Sequence, residues 1–484
     1  MLLTTAATEA QDLLGLFVSG EHQYGMMGGN VFSAFPSPDR QLAGTGATVR
    51  PSLRIDYQAD DIYHEVHSDG TETALERSVR SVDFSLPFPN TPLHPRLGLS
   101  ILSTQSSALV DQSPSEHGAF EGDRGLFTLS YEMSLGRAMC IGAAMGQSYN
   151  GPQSSGNYES DVSFRLPQDA LLHVKIGSRE YAQVLQLQFS GTDGTLPLDY
   201  LQQGAEISLL VPVANIPTVV EARHATISSV PDVSRSQDTH FSPVGMTNGY
   251  DVHTMVPLGG EWKFLLSIGR EASGGTGNFT SYGQIYGILN HFDFETSSVQ
   301  AAVQHSFSSN GIIEADLKWQ NISGDLEGHA EDWPFKSLFV SPIPVRENVK
   351  ADGSLRFWQF HVGGMMPIGE RFGVGVGTSC VRILPRLELD SWESKFLVFG
   401  VRGYQQRDLP VSSIDAVILS GGFRWSVASF TLSYSVTQFV PLQIERSGSS
   451  TSGVNGVFSA MPATTSSTHT SGGQFHQASV AYEF

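Results

Sequence analysis

The strongest constraint on this chain is an alternation of apolar and polar side chains with a period of two, recurring from the first hundred residues to the last. Phe127, Leu129, Tyr131, Met133 and Leu135 alternate with Thr128, Ser130, Glu132 and Ser134. Trp262, Phe264, Leu266 and Ile268 alternate with Lys263 and Ser267, and Ile313, Ala315, Leu317 and Trp319 with Glu314, Asp316 and Lys318. Successive side chains of a strand point to opposite faces, so such runs place one face in an apolar medium and the other in a polar one. Gly-, Asn- and Asp-rich joins such as 121–125, 150–157, 191–195 and 308–311 separate them, as turns require. The expectation is an all-β chain.

Composition agrees. Charged residues make up 16% and apolar residues 40% of 484 residues, with 50 Gly, 28 Phe and 14 Tyr. Only six Lys occur, which leaves little of the Glu/Lys texture of exposed helices. A formal charge of −20 opposes a broad nucleic-acid surface, which needs concentrated positive charge. No run of 18 apolar residues appears, so no spanning helix is expected; the greasiest stretch, 207–220, holds two prolines. The first basic residue is Arg40, so the charged start of a signal peptide is not visible in this numbering. Residues 1–45 read as an N-terminal segment or plug, with a short helix candidate over 5–18 and Met26, Met27, Phe32 and Phe35 as adaptable apolar contacts. Residues 46–484 read as the β domain, with long loops near 196–257, 320–352 and 446–473.

Chemical motifs are sparse. No nucleophile elbow, paired-cysteine motif, zincin helix or phosphate loop occurs. His64-Glu65-Val66-His67 brings only Glu65 and His67 to one strand face, so a solvated strand end outweighs a metal site. Asp325, Glu327, His329, Glu331 and Asp332 form an acidic stretch whose spacing is not that of a calcium loop. Cys140 and Cys380 read as two buried free thiols, with a disulfide as the lesser alternative. No catalytic, metal or cofactor site is expected, and no cofactor.

The final strand favours a closed barrel over a soluble sandwich. His476, Ala478, Val480, Tyr482 and Phe484 share one face, and Phe475, Gln477, Ser479, Ala481 and Glu483 the other. SVAYEF (479–484) resembles the closing strand of Gram-negative outer-membrane β-barrels, which commonly ends in Phe on the face of another aromatic or apolar residue. The resemblance implies a transmembrane antiparallel β-barrel in the bacterial outer membrane, a C-terminal strand read by the barrel assembly machinery, and outer-membrane lipid around the wall. At about 30 residues per strand and loop, this length suggests about 14–16 strands. Two families are similar: general porins, which fold an acidic loop inward, and channels like the long-chain fatty-acid transporter, which carry an N-terminal plug.

The expected function is passive uptake or diffusion of small solutes, including hydrophobic compounds, without a chemical step. A barrel hydrolase and a structural or adhesive surface protein are the alternatives. Residues alternating with the apolar wall are the candidate lumen-lining groups: Arg54, Asp56, Asp83, Asp161, Arg165, Lys263, Glu314, Asp316, Lys318 and Arg356. The bland reading of the same residues is mutual pairing that stiffens the wall. No residue specifies an oligomeric state.

Overall fold

The alternating runs form strands whose edges meet. The computed structural model describes residues 51–484, apart from 67–70, 230–239, 333–344, 448–468 and a few residues in shorter turns. The proposed plug, its helix candidate and most of the expected 446–473 loop lie outside the described residues, as do the side chains of His64 and Glu65. Among the described residues, 19 strands form one sheet. The chain order runs β1 (Ser52–Val66), β2 (Thr71–Pro87), β3 (Arg96–Ser113), β4 (Glu116–Leu135), β5 (Met139–Asn150), β6 (Gln153–Arg165) and β7 (Leu171–Phe189). It continues with β8 (Thr192–Val213), β9 (Ile216–Ser229), β10 (His240–Gly259), β11 (Trp262–Ser281), β12 (Gln284–Ser306) and β13 (Ile312–Asp332). The remainder are β14 (Val345–Ile368), β15 (Phe372–Lys395), β16 (Val398–Asp408), β17 (Val411–Val427), β18 (Phe430–Ser447) and β19 (His469–Glu483).

Each strand pairs antiparallel with its sequence neighbour, save at β16 and β17. Both of these pair with β15, through Glu388↔Asp408 above and Ile383↔Ile414 below. They are collinear pieces of one strand, so the barrel has 18 strand positions. That exceeds the expected 14–16, because most hairpins turn in a few residues and leave more of the chain for the wall. The ring closes through β1 and β19, with Ser52↔Glu483 at one end and Val66↔His469 at the other.

The described residues of the two expected mid-chain loops are largely strand. Residues 196–257 include most of β8, all of β9 and most of β10, and 320–352 includes the end of β13 and the start of β14. Alternation fades over 320–332 because the strand continues past an apolar layer into water, where both faces are wet, and over 207–220 because buried Leu210 and Val219 inside lie beside open Ile207 and Val220 outside. At the end of the barrel that holds Pro51 and Phe484, the terminal end of the described residues, turns are short. Ala214 and Ala428 adopt left-handed φ of 52° and 51° there, and Gly259, Gly260 and Gly369 also turn at positive φ.

Burial identifies the inner face. Side chains on the concave side of a closed sheet crowd together, whereas those on the convex side splay apart. Leu171, Val219, Leu265, Ala302, Glu314, Ser379 and Ile418 are nearly inaccessible and share one side of the sheet. Large apolar residues on the other side are open: Ile101, Phe127, Met145, Ile268, Ile313, Leu317, Phe360 and Leu419. At the terminal end this convex face carries a girdle including Tyr131, Trp262, Phe372, Trp425, Tyr482 and Phe484. An apolar outer belt with aromatic residues at its rim is the surface of a barrel that spans lipid.

The two thiols stand on opposite faces, Cys140 buried on the inside and Cys380 exposed on the outside, and both are free. Leu317→Arg, on the lipid-facing side, should destabilise the barrel by about 2–4 kcal/mol. Denaturant titration of folding in lipid vesicles measures this; an unchanged midpoint would show that Leu317 does not meet lipid.

Candidate functional site

The inner wall divides into a charged belt and an amphipathic patch. The belt crosses β3 to β12. Asp161 stands opposite Gly142 and Lys175, and Lys175 opposite Glu206. Glu206 stands in turn opposite Arg223. Lys175 pairs with Glu159 at 2.9 Å, Arg96 lies 3.9 Å from Glu132, and Arg223 pairs with Asp251 and lies 3.7 Å from Glu271. Glu221 sits beside them, accepting from Ser208 at 3.3 Å. Carboxylates outnumber cations along this stretch, so the wall carries a net negative field toward the lumen.

The amphipathic patch crosses β12 to β19. Cross-strand registers set it out in rows. Gln304, Glu314, Gly363, Gly377, Ser420, Thr437 and Phe475 form one; Ala302, Asp316, His361, Ser379, Ile418 and Phe439 form the next. The third is Gln300, Lys318, Gln359, Val381 and Ala416. Each row is polar at β13 and changes character around the barrel. Phe357, Val381, Ile383, Ala416, Ile418, Phe439 and Phe475 pack as one buried apolar cluster, with Leu355 against it.

His361 is held at the boundary between the two halves. Its Nδ1 is 2.9 Å from the Ser379 hydroxyl, and its Nε2 is 3.9 Å from Glu314 Oε1. The ring lies over two glycines. A methyl group at Gly363 would sit 2.8 Å from His361 Nε2, and one at Gly377 would sit 3.1 Å from its Cε1. Side chains at either position would push the imidazole off the wall. Glu314 is 1% exposed, and neither of its oxygens has a hydrogen-bond partner among the described residues.

Glu314, His361 and Ser379 fall in the order carboxylate, imidazole, hydroxyl, which acyl-transfer enzymes use. The surroundings do not complete that chemistry. An oxyanion needs free N–H donors, and β15 pairs with β14 along its length and with β17 through Ser379.

Arg54, Asp56, Asp83, Asp161, Arg165, Lys263, Glu314, Asp316 and Lys318 all stand on the concave face by register and alternation. Arg54 Nε lies 2.7 Å from Asp56, and the Ser81 hydroxyl donates to Asp56 at 3.4 Å. Arg356 is a correction: it pairs with Asn321, shares the convex face with exposed Trp358 and Phe360, and so faces outward. The run LRFWQFHV (355–362) has apolar residues on both faces, so its phase could not be read from alternation. Arg356 is twelve residues above Ile368, about 30 Å at the usual strand rise and tilt, which places it above an apolar band about 25 Å tall. Charged pairs Arg382–Asp415 (3.4 Å) and Lys350–Asp352 (3.6 Å) share that outer upper wall. Asp325 also faces outward, 3.5 Å from His291, and among the described residues no group of acidic, His or Cys side chains is arranged to hold a metal.

Sequence reasoning missed His361, Ser379, Gln304, Gln359, the two glycines and the inner apolar cluster. The available signal was the loss of alternation between 355 and 362 and between 380 and 384, where apolar residues fall on both faces.

No protein-family model matches the chain, and no curated protein does. Among solved structures, Pseudomonas aeruginosa OccK7 (OpdD) is similar over 90% of this chain and 99% of its own, at 11% identity and a TM-score of 0.42. A P. aeruginosa FadL homologue matches over 95% and 97%, at 10% identity and a TM-score of 0.34. The P. putida toluene transporter TodX matches over 93% and 94%, at 9% identity and a TM-score of 0.35.

Gly363→Ala should cost about 1–3 kcal/mol, because the imidazole must leave its seat in a packed wall. Gly421→Ala, where an added methyl meets nothing within 4 Å, is the control. Vesicle-folding titrations compare them; equal stability would show that the glycine does not seat the ring.

Proposed function

We propose that this protein is a passive channel of the bacterial outer membrane for small solutes, including hydrophobic ones. The observation that carries the reading is the inverted wall: open apolar side chains on the convex face, and ionised and amphipathic groups on the concave face of a closed sheet. A ring of 18 strand positions encloses a lumen wide enough for solute, because barrel diameter grows with strand number. The acid-rich belt supports a preference for cations, since fixed charges on a narrow wall set the field that a permeating ion meets. The inner apolar cluster supports passage of solutes with a greasy portion. The SVAYEF strand, paired with β1, supports insertion by the barrel assembly machinery. No cofactor or covalent step enters this mechanism.

Planar-bilayer recording of the folded, heat-modifiable protein tests it. Discrete conductance steps with a cation-favouring reversal potential are expected. Joint substitution of Glu206, Asp251 and Glu271 by their amides should move the permeability ratio toward unity. Membrane-inserted protein that passes neither ions nor an uncharged aromatic solute would overturn the channel reading.

A further inference from the structure

We infer that Glu314, with Asp316 beside it, is a lumenal subsite for the ammonium group of a small amphiphilic amine, whose apolar body lies on the Ile418–Phe439 patch. The inference rests on the channel reading and narrows its substrate class.

Three observations carry it. The first is the orphaned carboxylate. Glu314 is 1% exposed and neither oxygen is hydrogen-bonded among the described residues. Burying a polar group without a partner costs free energy, and an ion costs far more. A donor brought to this carboxylate would therefore gain a charge-assisted hydrogen bond. The second is local charge. Glu314 and Asp316 stand two residues apart on one face, with Lys318 as the cation next along it. Gln304 and Gln359, both buried, add neutral amide groups at the rim of the same patch. The third is the neighbourhood. Along the row of Asp316, polarity falls from His361 and Ser379 to Ile418 and Phe439 within four strands. A solute lying along that row would put a charged head at β13 and its hydrocarbon at β17 and β18.

The imidazole of His361 is the internal competitor. At 3.9 Å from Glu314 it is beyond hydrogen-bond length, and only its protonated form would neutralise the carboxylate. An ammonium group that turns the ring aside gains a charge-assisted hydrogen bond, stronger than the neutral contacts around it.

The test is equilibrium calorimetry on the full chain folded in lipid nanodiscs, with empty nanodiscs subtracted. The probes are 2-phenylethylammonium, 2-phenylethanol and phenylacetate. The ammonium should bind about tenfold tighter than the alcohol, the size of one charged hydrogen bond, and phenylacetate should bind weakest. Glu314→Gln should remove that advantage, Glu314→Asp should keep part of it, and Glu295→Gln, on the convex face where Glu295 pairs with Arg270 at 2.7 Å, should leave it intact. Heat-modifiable mobility confirms that each variant is folded, and Asp316→Asn serves if Glu314→Gln does not fold. Equal affinity for ammonium and alcohol, or an advantage that survives loss of both carboxylates, would overturn the inference. A barrel that conducts but shows no ammonium preference defeats this subsite alone. One that binds ammonium without conducting supports the subsite and defeats the channel.

Discussion

The pairing of β1 with β19 is the interaction on which the rest depends. A sheet in lipid cannot leave an edge, because unpaired backbone N–H and C=O groups find no water there. Ser52 to Val66 meet Glu483 to His469 residue for residue, and the closing strand has β18 on its other side. Closure also fixes which side of every strand is concave. The same alternation that is merely amphipathic in an open sheet becomes an inside and an outside.

Once the ring is closed, two solvents choose the side chains. The convex face meets hydrocarbon, so Ile313, Leu317 and Phe360 are stable while open. The concave face can hold carboxylates such as Glu206, Asp251 and Glu271 because basic neighbours and lumenal water stabilise them. Burial therefore runs opposite to the habit of a soluble domain. The inaccessible residues include Glu314, His361 and Ser379, and the accessible ones include Trp262 and Phe484.

The inner wall is not uniform, and its asymmetry is where selectivity would reside. One arc carries ion pairs in which acid exceeds base. The other passes from Glu314 and Asp316 through the His361–Ser379 pair to Ile418 and Phe439. Gly363 and Gly377 make that transition sterically feasible, since the imidazole occupies the space their side chains would fill. A polar group between an apolar surface and an orphaned carboxylate can orient a solute that carries both characters.

Much of this was legible in the chain itself. Wherever one face meets lipid and the other water, as over 127–135, 262–268 and 313–319, alternation gives both the strand and its phase. The closing strand is readable for the same reason, and so are most of the inward charges. The signal fails where its physical cause fails. Above the lipid both faces are wet, so 320–332 resembled a loop; over 207–220 both faces are apolar, so 196–257 did too, and the strand count came out low. In LRFWQFHV both faces are apolar, so Arg356 was placed on the wrong side. Sequence determined the class of fold because a period of two is a local property of backbone geometry. Only the tertiary structure decided which rows of residues meet, because register joins positions far apart in the chain. Glu314, His361 and Ser379 sit on three different strands, and nothing local to any one of them announces the other two.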